Sequence, residues 1–110
     1  MYDSNNVFAK ILRKELPSTV VFENEYVLAF KNINPTSKTH ILVIPKKPYT
    51  DYEHFVSLAS GEEVAMFFKS VNEVAVQLGI SGNYRLTTNN GAKAGQEVFH
   101  FHVHLQSSDV

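Results

Sequence analysis

The sequence predicts an α+β domain: a five-stranded antiparallel sheet with two helices packed on one face. Three observations carry this. Short β-branched or apolar runs recur along the chain, several joined by turns short enough for hairpins. From Gly61, apolar residues repeat at 3.6-residue spacing over more than four turns. Near the end, Val98-Phe99-His100-Phe101-His102-Val103-His104-Leu105 alternates histidine with apolar residues, the two-residue period of a strand.

Each element follows from local chemistry. Phe8, Ile11 and Leu12 share one face of a short helix over 7–15, capped by Ser4, Asn5 or Asn6 and stopped by Pro17. Val20–Glu23 and Tyr26–Phe30 read as paired strands around a two-residue turn at Asn24-Glu25. Asn34 to Lys38 is a loop, and His40–Pro45 is apolar on both faces after its first residue, as a central strand ended by proline requires. A loop over 46–51 leads to a short helical stretch, Tyr52 to Leu58. The long helix presents Val64, Phe67, Phe68, Val71, Val74, Ala75 and Leu78 to the core and ends at Gly79. Tyr84–Asn89 is a fourth strand, 90–95 a glycine-containing turn, and the histidine run the fifth strand.

At 110 residues the chain is expected to be one domain, with a core over 7–106 and flexible tails at 1–6 and 107–110. Ten basic against eleven acidic side chains give a net charge of −1. That balance gives no basic surface for nucleic acid, which needs clustered Lys and Arg. With no cysteine, disulfides and thiolate metal sites are excluded. No apolar run reaches the roughly 20 residues of a membrane span. The polar start, Met1 to Asn6, lacks the order of a signal peptide, so a cytoplasmic location is expected.

The histidine row has three readings. A strand histidine is ordinarily structural, but burying three on one face needs several partners. His-x-His on one strand can give two ligands to zinc, with His40 as a further ligand, yet no carboxylate flanks the row as an outer shell. The third reading is nucleophilic catalysis at phosphorus. Neutral imidazole is nucleophilic near pH 7, its neighbours can hold phosphate oxygens and move protons, and water then resolves the phosphohistidine. The loop before the row, Asn89 to Glu97, brings two glycines and several amides, including Gln96, and reads as a phosphate cradle.

His100-Phe101-His102-Val103-His104-Leu105-Gln106 resembles the His-x-His-x-His-x-x motif of the histidine-triad superfamily. Phe8 to Pro17, Leu28-Ala29-Phe30, Thr39 to Lys47 and Gly95 to Phe99 are similar to its Hint branch, so the resemblance spans about residues 7–106. It implies a metal-independent, cofactor-free hydrolase, a homodimer with a sheet continued between subunits. The implied substrates are purine nucleoside phosphoramidates or acyl-nucleotides. By the same resemblance His102 is the nucleophile, His104 serves the phosphate and leaving group, and His100 orients the nucleophile through its carbonyl. His40 extends the relay, Asn89 binds phosphate, and Gly95, Gln96 and Glu97 form the phosphate loop. Phe8, Ile11, Phe30 and Ile33 fall in the base pocket. Asn32 stands where the family usually has a ribose-binding aspartate, Glu97 where some relatives carry serine. Relatives usually continue past the motif with a Leu-Gly-Gly-Arg-like tail, where this sequence reads Gln106-Ser107-Ser108-Asp109-Val110. Two alternatives stay open: a nucleotide-binding interaction protein with incidental slow hydrolysis, and a dinucleoside-polyphosphate hydrolase.

Overall fold

Both faces of the central strands are apolar, and the fold covers both. The computed structural model describes residues Met1–Ser108. Its elements in order are α1 (Val7–Leu12), β1 (Val20–Glu23), β2 (Val27–Lys31), β3 (Thr39–Pro45), α2 (Tyr52–Leu58), α3 (Gly61–Gln77), β4 (Arg85–Thr87) and β5 (Val103–Ser107). A 3-10 turn at Ala92–Ala94 precedes β5. The sheet has five antiparallel strands in the order β1-β2-β3-β5-β4. The expected α+β architecture is therefore present, with α2 as a separate third helix.

Side-chain alternation divides the core into two layers. Val27, Ala29, Ile41, Val43, Val103 and Leu105 pack under Phe67, Val71, Val74 and Ala75 of α3 and Phe55 of α2. On the other face Leu28, Phe30, Leu42 and Ile44 pack against Phe8 of α1. The helices thus lie on both faces, not on one as the sequence reading expected. Apolar residues at every position of Val27–Phe30 and Ile41–Ile44 demand that second cover.

Local corrections have local causes. Helix α1 closes at Leu12, well before Pro17, because Lys14 takes a left-handed φ of 63°. Glu15 N–H then reaches the Lys10 carbonyl (2.9 Å) and Lys14 N–H that of Ile11 (3.0 Å), the two bonds of a Schellman stop. The β1–β2 turn takes three residues, since Asn24 Oδ1 accepts from both Tyr26 N–H (2.8 Å) and Val27 N–H (2.9 Å). Helix α3 starts as its sequence suggests, with a capping box between Ser60 and Glu63.

Hydrogen bonds tie residues near both described ends to the domain. Asn6 caps α1 by accepting from Ala9 N–H (2.9 Å), Arg13 donates to the Ser4 carbonyl (2.8 Å), and Tyr2 reaches His100. Ser107 completes β5; Asp109 and Val110, part of the expected C-terminal tail, lie outside the described residues. No helix among the described residues is long and apolar enough to cross a membrane.

Candidate active site

The histidine row is only partly a strand. Residues 98–102 run without ladder pairing, and β5 begins at Val103. Here Phe101 N–H bonds to the Tyr49 carbonyl (2.7 Å), outside the sheet. Alternation nonetheless holds where it matters: Phe101, Val103 and Leu105 enter the α2–α3 layer, while His102 and His104 line a cavity on the α1 face. Phe99, expected to bury with them, is 38% exposed. His100 does not join the cavity; it is fully buried beneath Pro45 and Tyr2.

The cavity has a volume of about 350 Å³. Phe8 and Ile11 of α1, Phe30 of β2, Leu42 of β3 and Val98 form its apolar part, with Ile33 at the rim, 88% exposed. Asn32, Asn89, Gly95, Glu97, His102 and His104 supply its polar wall. Ten of the thirteen site residues inferred from sequence thus meet at one cavity. His40 and His100 lie behind it, and Gln96 does not reach it. The Gln96 side chain is committed to the loop, accepting from Gly91 N–H (2.8 Å) and donating to the carbonyls of Thr50 (2.9 Å) and Val98 (3.0 Å). Its role is to shape the segment carrying Gly95 and Glu97.

Hydrogen bonds to backbone groups fix the protons of His102, His100 and His40, and the His40 ring in turn sets that of His104. A carbonyl only accepts, so His102 Nδ1, 2.8 Å from the His100 carbonyl, carries the hydrogen, and the Nε2 of the neutral ring is left with its lone pair. His100 Nε2–H donates to the Pro45 carbonyl (2.7 Å), so its Nδ1 accepts from the Tyr2 hydroxyl (2.6 Å). Thr36 N–H donates to His40 Nδ1 (3.2 Å), which places the His40 hydrogen on Nε2. That Nε2–H donates to His104 Nδ1 (2.9 Å), so the hydrogen of His104 is on its Nε2. One ring therefore keeps a lone pair and the next an N–H. Their centroids are 5.1 Å apart, and Phe8 stands edge-on to His102 at 5.0 Å.

Burial keeps the four rings neutral. Desolvation pushes His100 down to about 4 against a weaker lift from the Pro45 carbonyl. It also takes His104 to about 4, where protonation would further be opposed by His102 and His40 in their charged forms, and lowers His102 and His40. Asn32 completes this arrangement. Its Oδ1 accepts from Asn34 N–H (2.9 Å); its Nδ2, which can only donate, lies 3.2 Å from His40 Nε2, so with hydrogen on Nε2 that contact is not a hydrogen bond and residue 32 offers the ring no acceptor. The hydrogen stays directed at His104.

Sequence reasoning missed several neighbours. Val7, Pro17, Ser18, Lys31, Leu42 and Val98 also line the cavity, and Thr36 sets the His40 tautomer through a backbone N–H that no side-chain pattern could announce. Thr88 fixes the His102 backbone by donating to its carbonyl (2.7 Å). The fifth histidine, His54, accepts from Thr50 N–H (2.9 Å) near the start of α2. Among the described residues no cluster of three His, Asp or Glu side chains is placed to hold a metal ion.

A five-stranded antiparallel sheet carrying a neutral, hydrogen-bonded histidine triad at an apolar cavity defines the class, and the chain belongs to the HIT domain family, whose model matches residues 13–109. An uncharacterized HIT-like protein of Rickettsia prowazekii is 47% identical over 106 residues, covering 96% of this chain and 88% of its own. A 14 kDa zinc-binding protein of Zea mays is 44% identical over 108 residues, covering 94% and 81%. Among solved structures, a HIT family hydrolase from Clostridium thermocellum superposes with a TM-score of 0.83 at 42% identity, covering 96% of this chain and 91% of that one. A hypothetical histidine triad nucleotide-binding protein from Sulfolobus tokodaii reaches 0.78 at 37% identity, covering 92% and 67%.

Proposed function

We propose that the chain hydrolyses purine nucleoside phosphoramidates or acyl-nucleotides through a nucleotidyl intermediate on His102. The observation that carries this is the proton assignment: a lone pair on His102 Nε2 beside a hydrogen on His104 Nε2, both rings at one cavity. In this reading a flat purine lies among Phe8, Ile11, Phe30 and Ile33. The α-phosphate meets Asn89, Gly95 and Glu97 near the triad. His102 Nε2 attacks phosphorus while His104 Nε2–H hydrogen-bonds the leaving nitrogen or oxygen; the bond to that atom breaks and it takes a proton from solvent at the cavity mouth. His40 Nε2–H, bonded to His104 Nδ1, keeps the His104 hydrogen on the Nε2 that faces the substrate. Water then attacks the phosphohistidine, the N–P bond breaks, the water's proton returns to solvent, and the nucleoside monophosphate and His102 are freed.

The hydrolase and nucleotide-binding descriptions of two solved relatives support the class of reaction; the zinc-binding description of the maize relative names the rival. Turnover of an adenosine phosphoramidate in the presence of a metal chelator separates them. Undiminished turnover is expected, and loss of activity with chelator would overturn the metal-free mechanism. A burst of labelled histidine distinguishes this enzyme from a pure nucleotide binder, which would retain only exchangeable nucleotide. The same reading makes the working form a homodimer. Its support is the edge strand β4, exposed at all three residues, and the exposed Phe68, Val76 and Leu86. Sedimentation equilibrium tests it: a dimer is expected, a monomer at assay concentration contradicts it.

A further inference from the structure

We propose that Tyr2 is a positioning residue for the reaction of His102, acting through His100; the proposal rests on the reading of His102 as nucleophile. Tyr2 and His100 are 98 positions apart in the sequence, yet the phenol oxygen lies 2.6 Å from His100 Nδ1. The two rings meet edge to face, with centroids 5.6 Å apart and planes at 69°. The contact therefore fixes the imidazole by both a hydrogen bond and packing.

His100 has no access to water, so each ring nitrogen needs a protein partner. Pro45 holds the Nε2 side and Tyr2 the Nδ1 side, and together they allow one neutral tautomer in one ring orientation. The same residue's carbonyl is the acceptor for His102 Nδ1–H. Residue 100 is thus clamped at its side chain while its backbone selects the tautomer of His102. A tautomer with hydrogen on His102 Nε2 has no lone pair for phosphorus, so looseness at residue 100 removes nucleophile directly.

The rest of the N-terminal arm points the same way. Asn6 caps α1, and Phe8 of that helix packs edge-on to His102. One short segment, from Tyr2 to Phe8, therefore contacts two consecutive members of the triad from outside the motif.

The test is Tyr2→Phe, which removes the hydroxyl and keeps the ring, read by two-bond nitrogen–proton NMR of the imidazoles and by steady-state kinetics. In the unsubstituted protein His100 is expected as the Nε2–H tautomer with an accepting Nδ1. An Nδ1–H tautomer there overturns the proposal without any variant. In Tyr2→Phe, His102 is expected to lose its single Nδ1–H tautomer. In the same variant kcat is expected to fall about 10-fold at unchanged KM, the factor for one weakened net hydrogen bond. Unchanged His102 nitrogen shifts overturn the proposal whatever the rate does. His102→Ala run in parallel keeps the two ideas separate: full activity there defeats the nucleophile assignment, while the nitrogen shifts still decide the link from Tyr2 to His102.

Discussion

Acid should cost this fold stability through its buried histidines, and the fully buried His100 is the one whose share can be isolated. In the unfolded chain its imidazole titrates near 6.5, whereas in the fold burial holds it at about 4. Above pH 6.5 the ring is neutral in both states and folding pays nothing for it. As pH falls below 6.5 the unfolded chain takes up a proton that the native ring refuses, so stability drops until the native ring also protonates near pH 4. At pH 5 the difference amounts to roughly 2 kcal/mol, since each pH unit inside that window is worth about 1.4 kcal/mol. This conversion applies to His100 because it has no exposed surface. The assay is urea unfolding at pH 7 and pH 5 for the unsubstituted chain and for His100→Gln. Glutamine keeps a donor for the Pro45 carbonyl and an acceptor for Tyr2 but does not titrate. The unsubstituted chain should lose about 2 kcal/mol more than the variant over that interval. Parallel losses in the two proteins would refute the reasoning.

Two substitutions test the cavity wall. Asn32→Asp puts a carboxylate beside His40 Nε2, where the amide nitrogen now lies at 3.2 Å. It would accept the ring hydrogen now given to His104 and lift His40 from its lowered pKa, with Thr36 and His104 as the other direct partners and Arg85 the opposing charge. The acid limb of the kcat/KM profile should move to higher pH, and superimposable profiles would contradict the relay. Gly95→Ala meets no hard clash, the new Cβ lying 3.6 Å from Asn89 Nδ2, but forces alanine to a φ of 97°. A loss of about 1–2 kcal/mol in thermal or urea unfolding is expected, with KM raised as Asn89 and the loop shift. Unchanged stability would show that the loop does not need its left-handed residue.

Much of this was legible because period and chemistry coincide. Phe67, Val71 and Val74 announced α3, and the two-sided apolar run of β3 announced a central strand. That same run held the evidence for a second covering layer, which only the placement of Phe8 on Leu28, Phe30, Leu42 and Ile44 made explicit. The histidine row misled in one respect. Period-two spacing says which side a residue takes but not whether a neighbouring strand is there to pair with it. His100 and Phe101 lie ahead of the ladder, so their partners are Pro45, Tyr2 and Tyr49 instead of a strand. Contacts that cross the chain were hidden for the same reason: Tyr2 to His100, and Thr36 N–H to His40, join segments whose sequences carry no shared pattern. Gln96 shows the opposite error, a polar residue in a polar loop whose side chain serves the loop itself.

The central claim is that His102 Nε2 is the attacking atom. It is tested most directly by mixing the protein with an adenosine phosphoramidate, quenching rapidly in denaturant and mapping the adduct by peptide mass spectrometry. One nucleotidyl group on the peptide carrying His102, localised to that residue, formed equally with chelator present and absent from His102→Ala, is the predicted result. Turnover with no adduct at any time point, or an adduct and full activity in His102→Ala, would contradict it.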